Sequence, residues 1–331
     1  MRLLLPLFLL ASLTLSAQDL HFSQFYLHPI YQNPANTGLY KGTLRAGGIY
    51  RTQWTSIPVS FTTFGAFCDV KIQRRGNYMM AGGLMLEHDQ AGLAALTWNR
   101  VAGTFSVGHA LGTTQAIVVG FGVGGAQRAF NINKLRFKNQ WNGAEFDPSA
   151  DAKESFNRSS GLAPSLSAGV QWRFQAEEKR TALGLGAGIN HFNRPKINFR
   201  DDAPLRLPLR LDIQADARLQ MTSGTDLLAF GLLRRMGKAA ETLAGIGVRQ
   251  ILTSGPANET AISLSIASRF GDALIPALQV ERNNWLLGVS YDLNTSDLNR
   301  ASAGQGALEI GINYRIIPAP PVKTFKSCPI F

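Results

Sequence analysis

Hydrophobic residues recur at every second position along much of the chain, the spacing of a strand whose two faces meet different surroundings. The longest run is Leu209 to Met221. Leu209, Leu211, Ile213, Ala215, Ala217, Leu219 and Met221 take one side, while Arg210, Asp212, Gln214, Asp216, Arg218 and Gln220 take the other. At about 3.3 Å per residue such a strand extends about 43 Å, against roughly 17–20 Å for an ordinary globular strand. That length suits a tilted strand that crosses a bilayer and projects beyond it. The pattern returns in Leu308, Ile310, Ile312, Tyr314 and Ile316, and in Trp285, Leu287, Val289, Tyr291 and Leu293. It returns again in Leu166, Ala168, Val170, Trp172 and Phe174, and in Ile117, Val119, Phe121 and Val123. Trp172, Trp285 and Tyr314 mark segment ends, where an interfacial aromatic girdle falls.

Fourteen such segments can be laid out, at roughly 43–51, 60–73, 77–88, 95–110, 113–129, 161–175, 180–193, 208–221, 224–236, 240–252, 258–270, 273–282, 285–293 and 305–317. Short turns such as Arg75-Gly76-Asn77, Ser223-Gly224 and Asn283-Asn284 stand at every second junction. The other junctions include long loops at 130–160, 194–207 and 294–304. The prediction is an all-β fold: a transmembrane antiparallel β-barrel of about 14 strands, both termini on the side of the short periplasmic turns. A soluble sandwich would also alternate. It does not account for a lipid-like face repeated over many strands opposite a face rich in Gly and Ser.

The start of the chain favours export. Leu3 to Leu15 form an apolar run behind Met1-Arg2 and end at Ser16-Ala17, as a secretory signal does, with cleavage expected between Ala17 and Gln18. The run is too short for a retained helical anchor, which needs about 20 apolar residues. The division expected is therefore a signal at 1–17, an N-terminal periplasmic or plug segment at 18–42, the barrel at 43–317 and a Pro-rich periplasmic tail at 318–331. The net charge of +11 would suit nucleic acid. Export sets that partner aside in favour of outer-membrane lipid or an acidic polymer. The two cysteines, Cys68 and Cys328, are too few for a disulfide framework. Cys68 shares a face with Thr62, Phe64, Ala66, Val70 and Ile72, so it is expected to point into lipid and to stay unbridged.

A search for chemistry yields little. The five histidines form no HExxH pair, and no Gly-x-Ser-x-Gly elbow occurs. Gly122, Gly124 and Gly125 lie within a strand, where small lumenal residues explain them better than a phosphate loop. Asp212 and Asp216 with Arg210 and Arg218 would form a lumenal charge ladder that neutralises itself. No catalytic residue, metal site or cofactor is expected, and the chain is not expected to be an enzyme. A Ser-His lipase barrel is the enzymatic alternative.

Two blocks carry motifs more specific than alternation. Behind the signal runs Gln18-Asp19-Leu20-His21-Phe22-Ser23-Gln24-Phe25-Tyr26, then Pro29, then Tyr31-Gln32-Asn33-Pro34-Ala35-Asn36-Thr37-Gly38, with Tyr50-Arg51-Thr52-Gln53-Trp54 further on. Towards the C-terminus come Gly271-Asp272-Ala273-Leu274-Ile275-Pro276, Leu287-Gly288-Val289-Ser290-Tyr291-Asp292-Leu293-Asn294, Gly306-Ala307-Leu308-Glu309-Ile310 and Cys328-Pro329-Ile330-Phe331. Together these resemble the PorP/SprF family of the Bacteroidetes type IX secretion system. The resemblance implies an accessory barrel of the cell outer membrane. It also implies a part in gliding motility and in export or surface attachment of large adhesins with a C-terminal sorting domain. The partners implied are that adhesin and periplasmic components of the secretion machine. A fatty-acid-type transport barrel with a plug, for small hydrophobic or polar solutes, is the alternative, and a hydrophobic lumen would favour it.

Residues 18–42 carry too many Pro and Asn residues for a strand. Phe22, Ser23, Gln24, Phe25, Tyr26, Asn33, Pro34, Ala35 and Gly38, with Arg51, Gln53 and Trp54, are the candidate plug or partner-docking motif. The aromatic residues either seal the barrel or present a surface to a periplasmic partner. Glu309, Gly311, Tyr314 and Ile316 match the polar, Gly, aromatic and apolar steps of an outer-membrane assembly signal. Pro318, Pro320 and Pro321 should stop the ladder after it.

Overall fold

In the computed structural model, residues 19–53, 61–92, 95–131, 134–151, 159–197, 205–255, 259–296 and 305–318 are described. Ala17, Gln18, Trp54 and Cys328 lie outside them. The alternating segments form β1 (Leu44–Gln53), β2 (Phe61–Arg75), β3 (Tyr78–Ala91), β4 (Leu96–Leu111), β5 (Gln115–Ala129), β6 (Ser160–Gln175) and β7 (Ala182–Asn190). After a long connection follow β10 (Arg210–Gln220), β11 (Thr225–Met236), β12 (Ala239–Thr253), β13 (Thr260–Arg269), β14 (Ala273–Arg282), β15 (Trp285–Asn294) and β16 (Gln305–Ile316). Each pairs antiparallel with its neighbours in chain order, and β1 closes on β16 from Leu44↔Ile316 to Gln53↔Ala307. The result is a closed 14-strand barrel, and closure leaves no unpaired strand edge to face lipid.

The strand boundaries differ from the sequence-based ones by a few residues. The largest trimming is at β7, which ends at Asn190 because His191 turns into the left-handed region at φ 56°. The connection after it holds a small ladder, β8 (Lys196–Ile197) with β9 (Leu205–Arg206), too short to leave a periodic signal. The two barrel ends differ. Leu44 and Ile316 share one end with tight turns such as Gly76-Asn77 and Asn283-Asn284, where Gly76 and Asn283 take positive φ. This is the turn end. The strand ends that flank the long connections, Ala129 and Ser160, Asn190 and Arg210, and Asn294 and Gln305, lie at the other, the loop end.

Alternation sorts the faces as the sequence requires. On β10, Ile213 is 39 % exposed on the outer wall while its neighbour Asp212 is fully buried in the lumen. Leu308, Ile310 and Ile312 of β16, and Trp285, Leu287 and Val289 of β15, likewise stand on the outside. Cys68 is exposed on that same wall, with its thiol free. No helix among the described residues is long and apolar enough to cross a membrane. Crossing therefore falls to the strands, whose backbone groups are satisfied by their neighbours.

Candidate functional site

Residues 19–42 run through the lumen from the loop end to the turn end. Pro and Asn break the segment into short turns: Phe25–Leu27, Pro29–Gln32 and Pro34–Asn36. Asn33 caps the last of these by accepting the Ala35 amide at 2.9 Å, and its own amide donates to the Val170 carbonyl of β6 at 2.9 Å. The wall beside this turn is made of glycine. A Cβ on Gly120 would lie 2.3 Å from the Ala35 nitrogen, and one on Gly188 would lie 2.4 Å from the Gln32 carbonyl oxygen. The glycines of β5 and β7 thus let the segment's backbone approach the sheet directly.

Charged residues hold the segment at four levels. Nearest the loop end, Asp19 pairs with Arg210 and lies 3.1 Å from His191. Arg210 also donates to Asp212 at 2.8 Å and to the Tyr31 carbonyl at 2.6 Å, and its guanidinium sits 4.1 Å from the Tyr31 ring centroid. Arg234 bridges Asp212 at 2.6 Å and the Leu20 carbonyl at 2.9 Å. One step on, the Glu309 carboxylate accepts two backbone amides of the segment, Ser23 at 2.8 Å and Gln24 at 2.6 Å. The Ser23 hydroxyl donates to Asp292 at 2.7 Å and accepts from Arg51 at 2.8 Å and Arg269 at 2.6 Å. In the middle, His28 is stacked on Phe67 at 5.0 Å and lies 3.5 Å from Glu87. Burial holds the His28 imidazole far below its ordinary range, at about 3, with Arg100 and Arg45 adding to the shift. Toward the turn end, Asp69 accepts the Gly38 amide at 2.7 Å and a two-pronged contact from Arg45 at 2.9 and 2.8 Å. Buried charges are tolerated only when paired and hydrogen-bonded. The levels of Asp19, Ser23 and Gly38 meet that condition, whereas among the described residues neither His28 nor Glu87 finds a hydrogen-bond partner for its ring or carboxylate.

With this geometry in view, comparison with known proteins is informative. A family model described as "Type IX secretion system membrane protein PorP/SprF" matches residues 14–314. The chain belongs to the PorP/SprF family. It is thus an outer-membrane barrel of a secretion-system family and not of an enzyme family. Among solved structures, the Ralstonia pickettii toluene transporter TbuX matches with a TM-score of 0.51 at 11% identity, covering 87% of this chain and 93% of that one. A deletion mutant of the TodX monoaromatic hydrocarbon channel matches with a TM-score of 0.50 at 8% identity, covering 86% and 93%. At such identities the likeness concerns the barrel fold alone. No curated protein matches the sequence.

The residues singled out in this PorP/SprF chain fall into three groups. Phe22, Ser23, Gln24, Phe25, Asn33, Ala35 and Arg51 are brought together inside the lumen, all nearly or fully buried, with Pro34 and Gly38 beside them. Tyr26 is half-buried and borders a lumenal cavity. Of the two readings open for the aromatic residues, burial favours the seal: the barrel's own wall covers Phe22 and Phe25. The segment is also not confined to the turn-end mouth, because Asp19 to Gln24 reach the loop-end half. Gln53 lies apart, half-buried at the loop end of β1. Of the assembly-signal residues, Glu309 and Gly311 face the lumen and touch the segment, whereas Tyr314 and Ile316 stand on the outer wall, Tyr314 packed on Trp285 at 4.5 Å.

Several residues of the site escaped sequence reasoning. Asp292, Arg269, Arg234 and Asp69 are strand residues whose contacts with the segment span long stretches of chain, so no local spacing announces them. Glu309 stood out only as part of the assembly signal, not as the acceptor of the Ser23 and Gln24 amides. The expected charge ladder is half right: Arg210 does pair with Asp212, but Asp216 pairs with Arg173 at 2.6 Å. Also unforeseen is a chain from the Ser165 hydroxyl to His191 Nδ1 at 2.7 Å and from His191 Nε2 to Asp19 at 3.1 Å. It has the members of a hydrolase triad. Here all three residues are buried, and the Asp19 carboxylate is shared with Arg210, so the chain ties the segment to β6 and the β7 end.

Proposed function

We propose that this barrel is a non-catalytic accessory of the type IX secretion system that supports export or surface attachment of a large adhesin carrying a C-terminal sorting domain, and through it gliding. Family membership supports the setting. The observation that carries the non-conduit part is the occupied lumen: an ion pair at Asp19 and hydrogen bonds from the Ser23 and Gly38 amides to buried carboxylates tie the segment across the bore. An open path for an unfolded polypeptide would need all of them broken. The alternative is a transport barrel for small hydrophobic or polar solutes; a bore lined with Arg51, Arg210, Asp212, Asp292 and Glu309 disfavours the hydrophobic ones.

By the rule that outer-membrane barrels carry their short turns inside the cell envelope, the turn end faces the periplasmic machine components. In this reading residues 1–17 are removed on export, 18–42 form the plug, and 318–331 extend on the periplasmic side. A deletion in the native host tests the function directly. Surface adhesin, counted by immunolabelling of whole cells, should fall sharply while unrelated outer-membrane barrels keep their abundance. Undiminished adhesin on the deletion strain would reject the proposal.

A further inference from the structure

The plug does not fill the lumen evenly. Between it and the walls of β1, β6, β10, β11 and β13 to β16 remains a cavity of about 270 Å³. One side is apolar: Phe25 and Tyr26 of the plug meet Phe230 of β11 edge-on, with centroids 6.2 and 5.1 Å away, and Leu228 and Leu286 continue the surface. The other side is cationic, with Arg45, Arg173, Arg218 and Arg315. These four are not equally neutralised. Arg45 is taken by Asp69 and Arg173 by Asp216. The Glu281 carboxylate is held by Arg249 at 2.9 and 3.2 Å, which leaves Arg315 3.9 Å away from it. Arg218 makes no ion pair among the described residues and is exposed.

The cavity also has an entrance. Arg218, Glu281 and Arg315 line a second space of about 350 Å³ between Lys41, Lys179 and Asn283 at the turn end. Lys41 and Lys179 are exposed there, so the approach carries the same positive sign as the rim. An aromatic floor with under-neutralised guanidinium groups at its edge is the arrangement that holds an apolar body by burial and a carboxylate by charge-assisted hydrogen bonds. The size is close to the lower end of small-ligand pockets, roughly 300 Å³.

We propose that this turn-end cavity is a binding site for an aromatic or bulky apolar group bearing a carboxylate, with Arg218 and Arg315 receiving the carboxylate and Phe230, Tyr26 and Leu228 the apolar body. That chemistry could be supplied by a free organic acid or by an acidic peptide segment with an aromatic residue. The inference stands apart from the secretion role, since it rests only on the cavity.

The test uses the full-length barrel in nanodiscs of zwitterionic lipid, titrated calorimetrically with three probes. These are 3-phenylpropionate, its neutral analogue 3-phenylpropanamide, and a blocked Asp-Trp-Glu tripeptide. Binding of either acid, at least about ten-fold tighter than the amide, is expected. Arg218→Glu should weaken that binding by about ten-fold or more while heat-modifiable gel mobility stays that of the folded barrel; Arg218→Gln serves if the charge reversal impairs assembly. Binding of the free acid alone assigns the site to a small molecule, and binding of the peptide alone to a polypeptide. Equal affinity for acid and amide, no change on altering Arg218, or no binding of either acid would overturn the proposal.

Discussion

The outer and inner faces of the same strands follow different rules. Outside, neighbouring residues are interchangeable in kind: Ile213, Leu211, Val289 and Ile312 need only be apolar, because lipid makes no individual demands. Inside, almost every polar residue has a named partner. Glu309 serves two amides of the plug, Asp212 serves two arginines, and Asp69 serves Arg45 and Gly38. One face is specified by composition and the other by pairing. Substitutions should therefore behave differently on the two faces.

The largest effect is expected at Glu309. Removing the carboxylate with Glu309→Ala leaves the Ser23 and Gln24 amides without their acceptor and Arg51 with one partner fewer. Breaking a buried pair from one side costs about 3–5 kcal/mol. Folded barrel, read by heat-modifiable gel mobility in outer-membrane fractions, should drop strongly, and Glu309→Gln should recover part of it. A fully assembled Glu309→Ala barrel would show that the pairing rule does not hold at this level.

The outer rule is tested on two adjacent residues. Ile213→Arg puts a cation against lipid, at roughly 2–4 kcal/mol if near the midplane. Gln214→Arg places the same group in the lumen, on the wall of the turn-end cavity and near the Asp216 carboxylate that also lines it, at the loss of one hydrogen bond to Gln171. Assembly of the first should suffer and that of the second should be nearly normal. Equal loss in both would mean that the register of β10 is misassigned.

The smallest effect concerns pH. His28 lies in the plug and is held neutral down to about 3, against 6.5 for an exposed imidazole. A depressed native value means that its contribution is complete above the unfolded value and is lost as pH falls from 6.5 towards 3. The charge that would appear in the folded state faces Arg100 and Arg45, with Glu87 the nearest acid. The thermal midpoint of the wild-type barrel should therefore fall more steeply than that of His28→Leu between about pH 7 and pH 4. Parallel slopes would remove His28 from the account.

The same division explains what could be read from the chain. Period-two alternation is a local signal, and it placed all of β1 to β7 and β10 to β16 within a few residues, with Cys68 and Ile213 on the outer wall. The β8–β9 ladder has only two residues on each side and leaves no period to detect. The plug was visible as a stretch unfit for a strand, through Pro29, Asn33 and Pro34. Its direction was not, because that depends on Asp19 finding Arg210 and on Ser23 finding Glu309, contacts between residues 191 and 286 positions apart. Arg51 stood out within a motif, yet its partner Asp292 lies 241 positions on, beyond any spacing rule.

That reach in sequence bears on the order of events during assembly. Ser23 and Gln24 precede the first strand, and their amides are satisfied by Glu309 of the last strand. Arg51 of the first strand grips the same serine. The plug thus joins the two strands that meet at the seam, and its contacts there cannot form before β16 has arrived. Contacts this distant are slow to form, since a long loop must be closed before they contribute anything. Closing the cylinder therefore also completes the plug's grip at Ser23 and Gln24, and a chain caught before it would have an open seam and these two amides still unheld.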